Sequence, residues 1–154
     1  MEWRKGDYLI STDPKRIDLE VVHGFLTSCY WAAGIPIDVV RRSIEHSLCF
    51  GVYKDEQQVG FARVITDFAT FAYIGDVFVV QEHRGQGLSK WLLGVIREHP
   101  DLQGLRRWML ATRDAHTLYS RFGFTSLNTP ETWMEIRDYD VYREQAGKPI
   151  RPVC

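Results

Sequence analysis

Residues 77–93 read Val-Phe-Val-Val-Gln-Glu-His-Arg-Gly-Gln-Gly-Leu-Ser-Lys-Trp-Leu-Leu, and this stretch decides the fold. Its apolar run predicts a buried strand, its two glycines predict a tight turn, and its spaced leucines predict an amphipathic helix that opens out of the turn. Such a turn leaves backbone N–H groups unpaired beside the positive end of the helix dipole. This arrangement is typical of phosphate sites, so the sequence predicts a phosphorylated ligand.

The residues around the two glycines exclude two nucleotide-binding loops. A Walker loop needs Lys and then Ser or Thr after its last glycine, whereas Leu88 and Ser89 follow Gly87 here. A dinucleotide-binding fingerprint needs a third glycine at the position of Lys90. An ordinary glycine turn between a strand and a helix remains the alternative to a ligand site.

The turn resembles the acyl-CoA pyrophosphate loop of the GCN5-related N-acetyltransferase (GNAT) superfamily. The pattern of that loop is Arg or Gln, two residues, Gly, one residue, and then Gly or Ala. Arg84 and Gly87 meet the pattern, and the chain departs from it at Ser89. Serine is small enough to allow a ligand to approach the backbone, so the departure is mild.

A second landmark lies downstream. Residues 118–124 read Leu-Tyr-Ser-Arg-Phe-Gly-Phe, which is similar to the Leu-Tyr and Gly-Phe pairs that end the helix after the next strand of the superfamily. A strand-like run, 105–111, separates the two landmarks. The superfamily often has Asn three residues before the Ala of this helix, and here Thr112 stands before Ala115. The resemblance extends from about Asp7 to Tyr142.

Periodicity along the chain predicts alternating elements. The predicted strands are 7–11, 48–54, 59–66, 72–80, 105–111, 124–127 and 132–137, and the predicted helices are about 18–28, 36–46, 88–98 and 115–121. With the resemblance, this order implies an α/β fold, namely a single-domain mixed sheet of about six to seven strands flanked by four helices, as in the GNAT (acyl-CoA N-acyltransferase) fold. The N-acetyltransferase domain is expected to span residues 7–142, and residues 143–154 are expected to form a C-terminal tail.

The resemblance implies acetyl-CoA as the acyl donor and assigns residues to it. Backbone groups in the central strand would hold the pantetheine amides and the thioester carbonyl, while the glycine turn would hold the pyrophosphate. The cofactor-binding residues predicted in this way are Phe78, Val79, Val80, Arg84, Gly85, Gln86, Gly87, Leu88, Ser89 and Thr112. The side chains of Phe78 and Val80 are also expected to lie in the core.

Acetyl transfer to an amine needs an acid for the departing sulfur and a base for the attacking ammonium. Tyr119 matches the acid position of the superfamily, and a phenol with a pKa of about 10 is close to an alkyl thiol; packing is its alternative role. Asp76 is the candidate base because a carboxylate in an apolar strand must be paired or useful, and its alternative is a structural partner or a backbone-bonding role. Asp67 is a second candidate, and a chain of water molecules is a third.

The loop between the first two helices and the region of Trp133 are expected to form the acceptor wall. Tyr30 and Trp31, with nearby carboxylates such as Asp67, are the predicted substrate-binding residues, because aromatic rings hold cations or other rings. The alternative is that the Tyr-Trp pair simply ends an amphipathic helix against the sheet. The sequence does not name the acceptor.

Composition narrows the partners. The chain has 154 residues, 45% of them hydrophobic, and its 19 Lys and Arg nearly balance 20 Asp and Glu, so we expect one domain that binds neither nucleic acid nor a membrane. The start of the chain lacks a signal-peptide pattern, which predicts a cytoplasmic location. Cys29, Cys49 and Cys154 form no C-x-x-C pair, and His46 with Cys49 stands alone, so we expect neither a disulfide framework nor a metal site.

The sequence therefore predicts an acetyl-CoA-dependent N-acetyltransferase that acts on a primary amine of a small molecule. Direct attack within a ternary complex is expected, because no cysteine is placed to form a covalent intermediate. A non-catalytic acyl-CoA-binding module is one alternative, although it would have no use for Tyr119. A transferase that acts on protein N-termini or lysines is the other, and a homodimer is left open.

Overall fold

A computed structural model describes residues 1–144 of the chain. Its sheet has six strands in the order of the sequence, and all neighbours are antiparallel except the last two, which are parallel. The strands are β1 Glu2–Lys5, β2 Tyr8–Ser11, β3 Leu48–Lys54, β4 Gln57–Thr66, β5 Phe71–Val79 and β6 Arg107–Met109. The predicted mixed sheet is confirmed.

Four helices flank the sheet, as predicted. They are α1 Leu19–Leu26, α2 Ile37–Glu45, α3 Leu88–Glu98 and α4 His116–Ser120, and one further helical turn, α5, is Val141–Glu144. Asp18 caps α1, because its Oδ1 atom accepts hydrogen bonds from the N–H groups of Glu20 and Val21 at 3.0 and 3.1 Å. Asp13 instead caps the 3₁₀ turn Pro14–Arg16.

Both faces of the sheet are covered. One apolar cluster joins α3 to residues such as Phe50 and Ala62. The other joins α1 and α2 to the neighbouring residues Cys49 and Phe61, whose side chains point to the opposite face. The near-continuous apolar sequence of the central strands follows from this double burial.

Two irregularities in β5 create the space for a site. Pairing with β4 shifts between Phe61 and Arg63, so that Asp76 and Val77 together lie opposite Ala62 in a β-bulge. Asp76 has a φ of +55°, a conformation that Asp and Asn tolerate better than most residues. On its other side β5 pairs with β6 only over 71–73, so the two strands diverge beyond that point.

The structure corrects several predicted boundaries. A first strand, β1, was not predicted, and it extends the fold ahead of residue 7 through a tight turn at Gly6, which has a φ of +56°. The strands predicted at 124–127 and 132–137 are wrong: this segment contains a 3₁₀ turn, Pro130–Thr132, and Trp133 packs under the guanidinium of Arg107 instead of extending the sheet. Of the predicted tail, residues 145–154 lie outside the described part of the chain.

Candidate active site

The turn before α3 is built to receive an anion. Gly85 and Gly87 have φ values of +78° and +75°, and a Cβ atom at either would meet no heavy atom within 4 Å, so the space in front of the turn is open. Within residues 1–144, nothing accepts a hydrogen bond from the N–H groups of residues 85–90, and no side chain caps the helix. These donors and the positive end of the helix dipole lie where the sequence predicts a phosphate site.

The side chain of Arg84 stabilises this turn by hydrogen bonds to residues that precede it. Its Nε atom donates to the carbonyl of Val79 at 2.9 Å, and its Nη1 atom donates to Oε1 of Gln81 at 2.9 Å. The guanidinium therefore fixes the junction between β5 and the turn, and only its remaining N–H groups are left for a ligand.

A second brace comes from the other end of the sheet and was not visible in the sequence. The hydroxyl of Tyr8, on β2, bonds to Nδ1 of His83 at 2.9 Å and donates to Oε1 of Gln86 at 3.0 Å. The Tyr8 ring also meets the His83 ring edge to face, with centroids 5.8 Å apart. Tyr8 thus supports the glycine turn although it precedes His83 and Gln86 by 75 and 78 residues in the sequence.

Of the three residues predicted to bind pantetheine through their backbone, only Val79 has its N–H group on the edge of β5 that diverges from β6. The N–H of Val80 donates to the carbonyl of Val59 at 2.9 Å, and the carbonyl of Val80 accepts from the N–H of His83. Because backbone groups alternate along a strand, Phe78 also faces β4, whereas the N–H of Val79 faces the gap beside β6. The side chain of Phe78 is buried in the core, stacked on Phe25 with centroids 3.9 Å apart.

A cleft of about 750 Å³ opens where β5 and β6 diverge. It is lined by the bulge of β5, the segment that follows β6, the start of α4 and the loop between α1 and α2. Its lining includes Tyr30, Trp31, Arg63, Tyr73, Asp76, Thr112, Arg113, Asp114, Tyr119, Glu135, Arg137 and Tyr142. The structure thus brings both predicted catalytic residues, Tyr119 and Asp76, into one cleft.

Tyr119, the predicted proton donor, lies in this cleft. Its ring packs edge to face on Phe124, and no described residue forms a hydrogen bond with its hydroxyl. Burial raises the pKa of Tyr119 to about 12, and the neighbouring Tyr30, Tyr73 and Asp114 add to the increase. The phenol therefore keeps its proton throughout the neutral range.

Asp76 is paired. Its Oδ2 atom accepts from Nε of Arg63 at 2.7 Å, and Arg63 also donates from Nη1 to the Ser47 hydroxyl at 3.3 Å. The side chains of Asp76 and Arg63 are only 13% and 18% exposed, so the pair is largely shielded from water. Oδ1 of Asp76 has no hydrogen-bond partner among the described residues.

Two other predicted residues have local structural roles. Asp67 is not among the residues that line the cleft; its carboxylate accepts from the N–H groups of Ala69, Thr70 and Phe71 and from the Thr70 hydroxyl, and these bonds hold its pKa well below the usual range. Thr112 does line the cleft, and its hydroxyl accepts from the N–H of Ala115 at 3.0 Å, which leaves the hydroxyl proton free for a ligand.

An aromatic wall forms the rim of the cleft. Tyr30 and Trp31 contact each other edge to face with centroids 5.0 Å apart, and 51% and 39% of their surfaces are exposed. The guanidinium carbon of Arg113 lies 3.8 Å from the Tyr30 ring centroid. The sequence did not single out Arg113, because one arginine in a polar loop carries no signal.

Neither of the two described cysteines is suited to act as a nucleophile. Burial raises the pKa of Cys29, and its thiol donates to the Phe25 carbonyl; burial raises the pKa of Cys49 to about 12. Among residues 1–144 no cluster of His, Cys, Asp and Glu is placed to hold a metal ion. No helix in that range is long and apolar enough to cross a bilayer.

Comparison with known proteins identifies the family. The sequence profile of the acetyltransferase (GNAT) domain matches residues 45–126. A Gibberella zeae protein, provisionally assigned as an acetyltransferase, is 35% identical over 142 residues, an alignment that covers 77% of this chain and 79% of that protein.

Solved structures agree with this match. A protein from Xanthomonas campestris pv. campestris, assigned to the GNAT family of acetyltransferases, is 52% identical with a TM-score of 0.86, over 88% of this chain and 96% of that one. A Clostridium acetobutylicum protein solved with acetyl-CoA shares the fold alone, at 15% identity and a TM-score of 0.61 over 84% and 94% of the two chains. The resemblance that the two sequence landmarks indicated is confirmed, and the chain belongs to the GNAT family of acetyltransferases.

Proposed function

We propose that the protein transfers an acetyl group from acetyl-CoA to a primary amine of a small molecule, by direct attack within a ternary complex. One observation carries the proposal: the unpaired N–H groups of the glycine turn and the cleft that holds Tyr119 lie along the same diverging edge of β5. A cytoplasmic location is part of the proposal.

The residues around this edge fit an acyl-CoA. Six consecutive N–H groups, at residues 85–90, face an open space that a pyrophosphate could occupy. The N–H of Val79 and the hydroxyl of Thr112 would then meet the pantetheine arm. The acyl group would reach the cleft beside the bulge at Asp76. Family relationship supports the same ligand, and the Clostridium acetobutylicum relative was solved with it.

The chemistry needs one new bond and one broken bond. The amine nitrogen attacks the thioester carbonyl, a C–N bond forms, and the C–S bond breaks. Tyr119 gives its proton to the departing sulfur and regains one from solvent, while Asp76, directly or through water, takes the proton that the ammonium loses. A covalent route through Cys29 is disfavoured, because its thiol stays protonated and does not line the cleft.

The size and lining of the cleft favour a small acceptor over a protein segment. Its volume of about 750 Å³ lies in the range of small-molecule sites, and its lining combines aromatic side chains with a few charged ones. The retained Tyr119 speaks against a non-catalytic acyl-CoA-binding module, since binding alone would not use an unpartnered phenol.

Thiol release from acetyl-CoA tests this function. The assay uses a panel of small amines, polyamines, amino acids and peptides. We expect some of the small amines to release CoA much faster than hydrolysis of acetyl-CoA by water does. Release only with peptides would replace the small acceptor by a protein, whereas tight CoA binding without release for any amine would leave a binding module.

Tyr8→Phe should weaken acetyl-CoA binding without slowing the chemistry. The substitution removes the hydrogen bonds to His83 and Gln86 that brace the glycine turn. We expect the KM for acetyl-CoA to rise about 3- to 10-fold, the equivalent of one or two ordinary hydrogen bonds, at an unchanged kcat. Steady-state kinetics measures both constants.

Tyr53→Phe is the matched control for this variant. It removes another tyrosine hydroxyl from the neighbouring strand, one that donates to the Arg16 carbonyl at 2.8 Å, far from the turn. It should lower Tm and leave the KM unchanged. S-acetylpantetheine, which has no pyrophosphate, should not distinguish Tyr8→Phe from the parent; an equal loss with both donors would contradict the bracing role.

Asp76→Asn should lower both activity and stability. Asn tolerates the positive φ at this position, so the backbone stays, but Arg63 loses its charged partner, and we expect unfolding to become easier by about 1–3 kcal/mol. If Asp76 is the base, turnover falls and the acidic limb of the pH profile disappears. Denaturant unfolding and the pH dependence of kcat measure the two effects.

A double variant separates the two roles of Asp76. Arg63→Gln in the Asp76→Asn background leaves no unpaired charge, so stability should return toward that of the parent. The lost acidic limb should stay lost, because no carboxylate has been restored. Recovery of a normal pH profile together with stability would show that Asp76 acts only as the partner of Arg63.

A further inference from the structure

The cleft holds equal numbers of positive and negative side chains. Its lining includes three guanidinium groups and three carboxylates, namely Arg63, Arg113 and Arg137 together with Asp76, Asp114 and Glu135. Of these six side chains, only Arg63 and Asp76 form an ion pair within 4.0 Å among the residues that the structure describes. The other four charges have no ion-pair partner among the described residues, so the cleft presents free charges of both signs.

This balance discriminates between classes of amine. A polyamine carries only positive charge, so the free guanidinium groups would repel it and gain no partner from it. The same holds for a simple hydrophobic amine. An acceptor that carries an ammonium and a carboxylate satisfies both kinds of free charge.

Arg113 is the best-placed anchor for a carboxylate. Its guanidinium lies within stacking distance of the Tyr30 ring, and Tyr30 is supported in turn by Trp31. Stacking holds the guanidinium in place through its face while its N–H edges stay available for a carboxylate. Arg137 is less suited, since its guanidinium carbon lies 4.7 Å from the ring centroid of Tyr139, which does not line the cleft.

The negative partner lies next to Arg113 in sequence. Asp114 lines the same cleft, and its charge acts on Tyr119, the proposed proton donor. An ammonium held near Asp114 is therefore close to the reacting centre. Because the positive and negative anchors follow each other in one loop, they match an acceptor whose two charges are separated by only a few bonds.

We propose, on the basis of the proposed function, that the acceptor is a free amino acid or a close analogue: its carboxylate binds Arg113, its amino group lies near Asp114 and Tyr119, and its side chain rests against Tyr30 and Trp31. The aromatic wall favours apolar or aromatic side chains over charged ones.

Matched pairs of acceptors test the proposal in the thiol-release assay. Phenylalanine is compared with phenethylamine, and tryptophan with tryptamine, because the members of each pair differ only in the carboxylate. The amino acid should have the higher kcat/KM, by about 10- to 100-fold, the range for one charge-assisted contact. A preference for the decarboxylated amine would overturn the proposal and leave the acetyltransferase function intact.

Arg113→Gln identifies the residue responsible. It should lower kcat/KM for the amino acid about 10- to 100-fold and leave that for the decarboxylated amine unchanged, with unchanged CoA affinity by calorimetry. Arg121→Gln, which removes an exposed arginine just after α4 and outside the cleft, is the control and should change neither. An equal loss with both acceptors would show that Arg113 only supports the wall.

A binding measurement keeps the proposal testable without turnover. Calorimetric titration of the CoA-bound protein should give a Kd for phenylalanine about 10- to 100-fold lower than that for phenethylamine, and Arg113→Gln should remove this difference. If no tested amine caused thiol release although CoA binds, the transferase function and the acceptor class would both be rejected. The two failures are therefore distinguishable.

Discussion

Gly87→Val is expected to abolish CoA binding while the protein still folds. Gly87 has a φ of +75° and is the N-cap residue immediately before α3, so a β-branched side chain there is strained and the turn must change shape. The valine side chain would also occupy space beside the turn that is open in the parent, where a Cβ atom meets nothing within 4 Å. We expect the Kd for CoA, measured by calorimetry, to rise by at least about 10²-fold.

Gly104→Val is the control that distinguishes general backbone strain from loss of the pyrophosphate site. Gly104 has the same φ, +75°, and a Cβ atom there would also meet nothing within 4 Å, but it lies in the turn before β6, away from the glycine turn. Both variants should lose similar amounts of thermal stability, and only Gly87→Val should lose CoA. Normal CoA binding by Gly87→Val, or an equal loss in Gly104→Val, would contradict the assignment of the pyrophosphate site.

The sequence predicted the central part of the fold because strong local signals coincide there. The apolar run of β5, the glycines and the stripe of α3 each have one structural solution, and they follow one another without interruption. The strands predicted at 124–127 and 132–137 rest on short apolar runs alone. A strand needs a partner as well as a pattern, and β6, only three residues long, pairs with β5 alone.

The predicted site was incomplete for a different reason. Tyr119 and the glycine turn were predicted because each lies in a short local motif that resembles a landmark of the family. Arg63 gave the same signal as Asp76, because it is a charged residue in an apolar strand. Two opposite charges in adjacent apolar strands predict an ion pair, and the structure contains it. Tyr8 and Arg113 gave no signal, because their roles come from contacts with residues that only the folded sheet and loops bring near.

Tyr119→Phe is the most direct test of the chemistry. It removes only a hydroxyl that no described residue bonds, and the ring contact with Phe124 stays, so Tm and acetyl-CoA affinity should be close to those of the parent. Turnover should fall by about 10²-fold or more, the usual effect of losing a positioned proton donor. Rapid-quench single-turnover kinetics is the measurement, because it reports the chemical step even where product release limits kcat.

The pH dependence of the parent enzyme adds a second check on the same residue. A phenol whose pKa is raised to about 12 stays protonated up to that pH, so Tyr119 should produce no basic limb in the rate profile at neutral or mildly alkaline pH. The same increase in pKa destabilises the fold only as pH rises from about 10, where the unfolded tyrosine ionises, toward about 12.

Tyr142→Phe, which removes another hydroxyl from the same cleft, is the control for Tyr119→Phe and should leave the single-turnover rate within a few-fold of the parent. If both variants were equally slow, the loss would reflect the polarity of the cleft, and if Tyr119→Phe alone were slow at every pH tested, the phenol would be the proton donor.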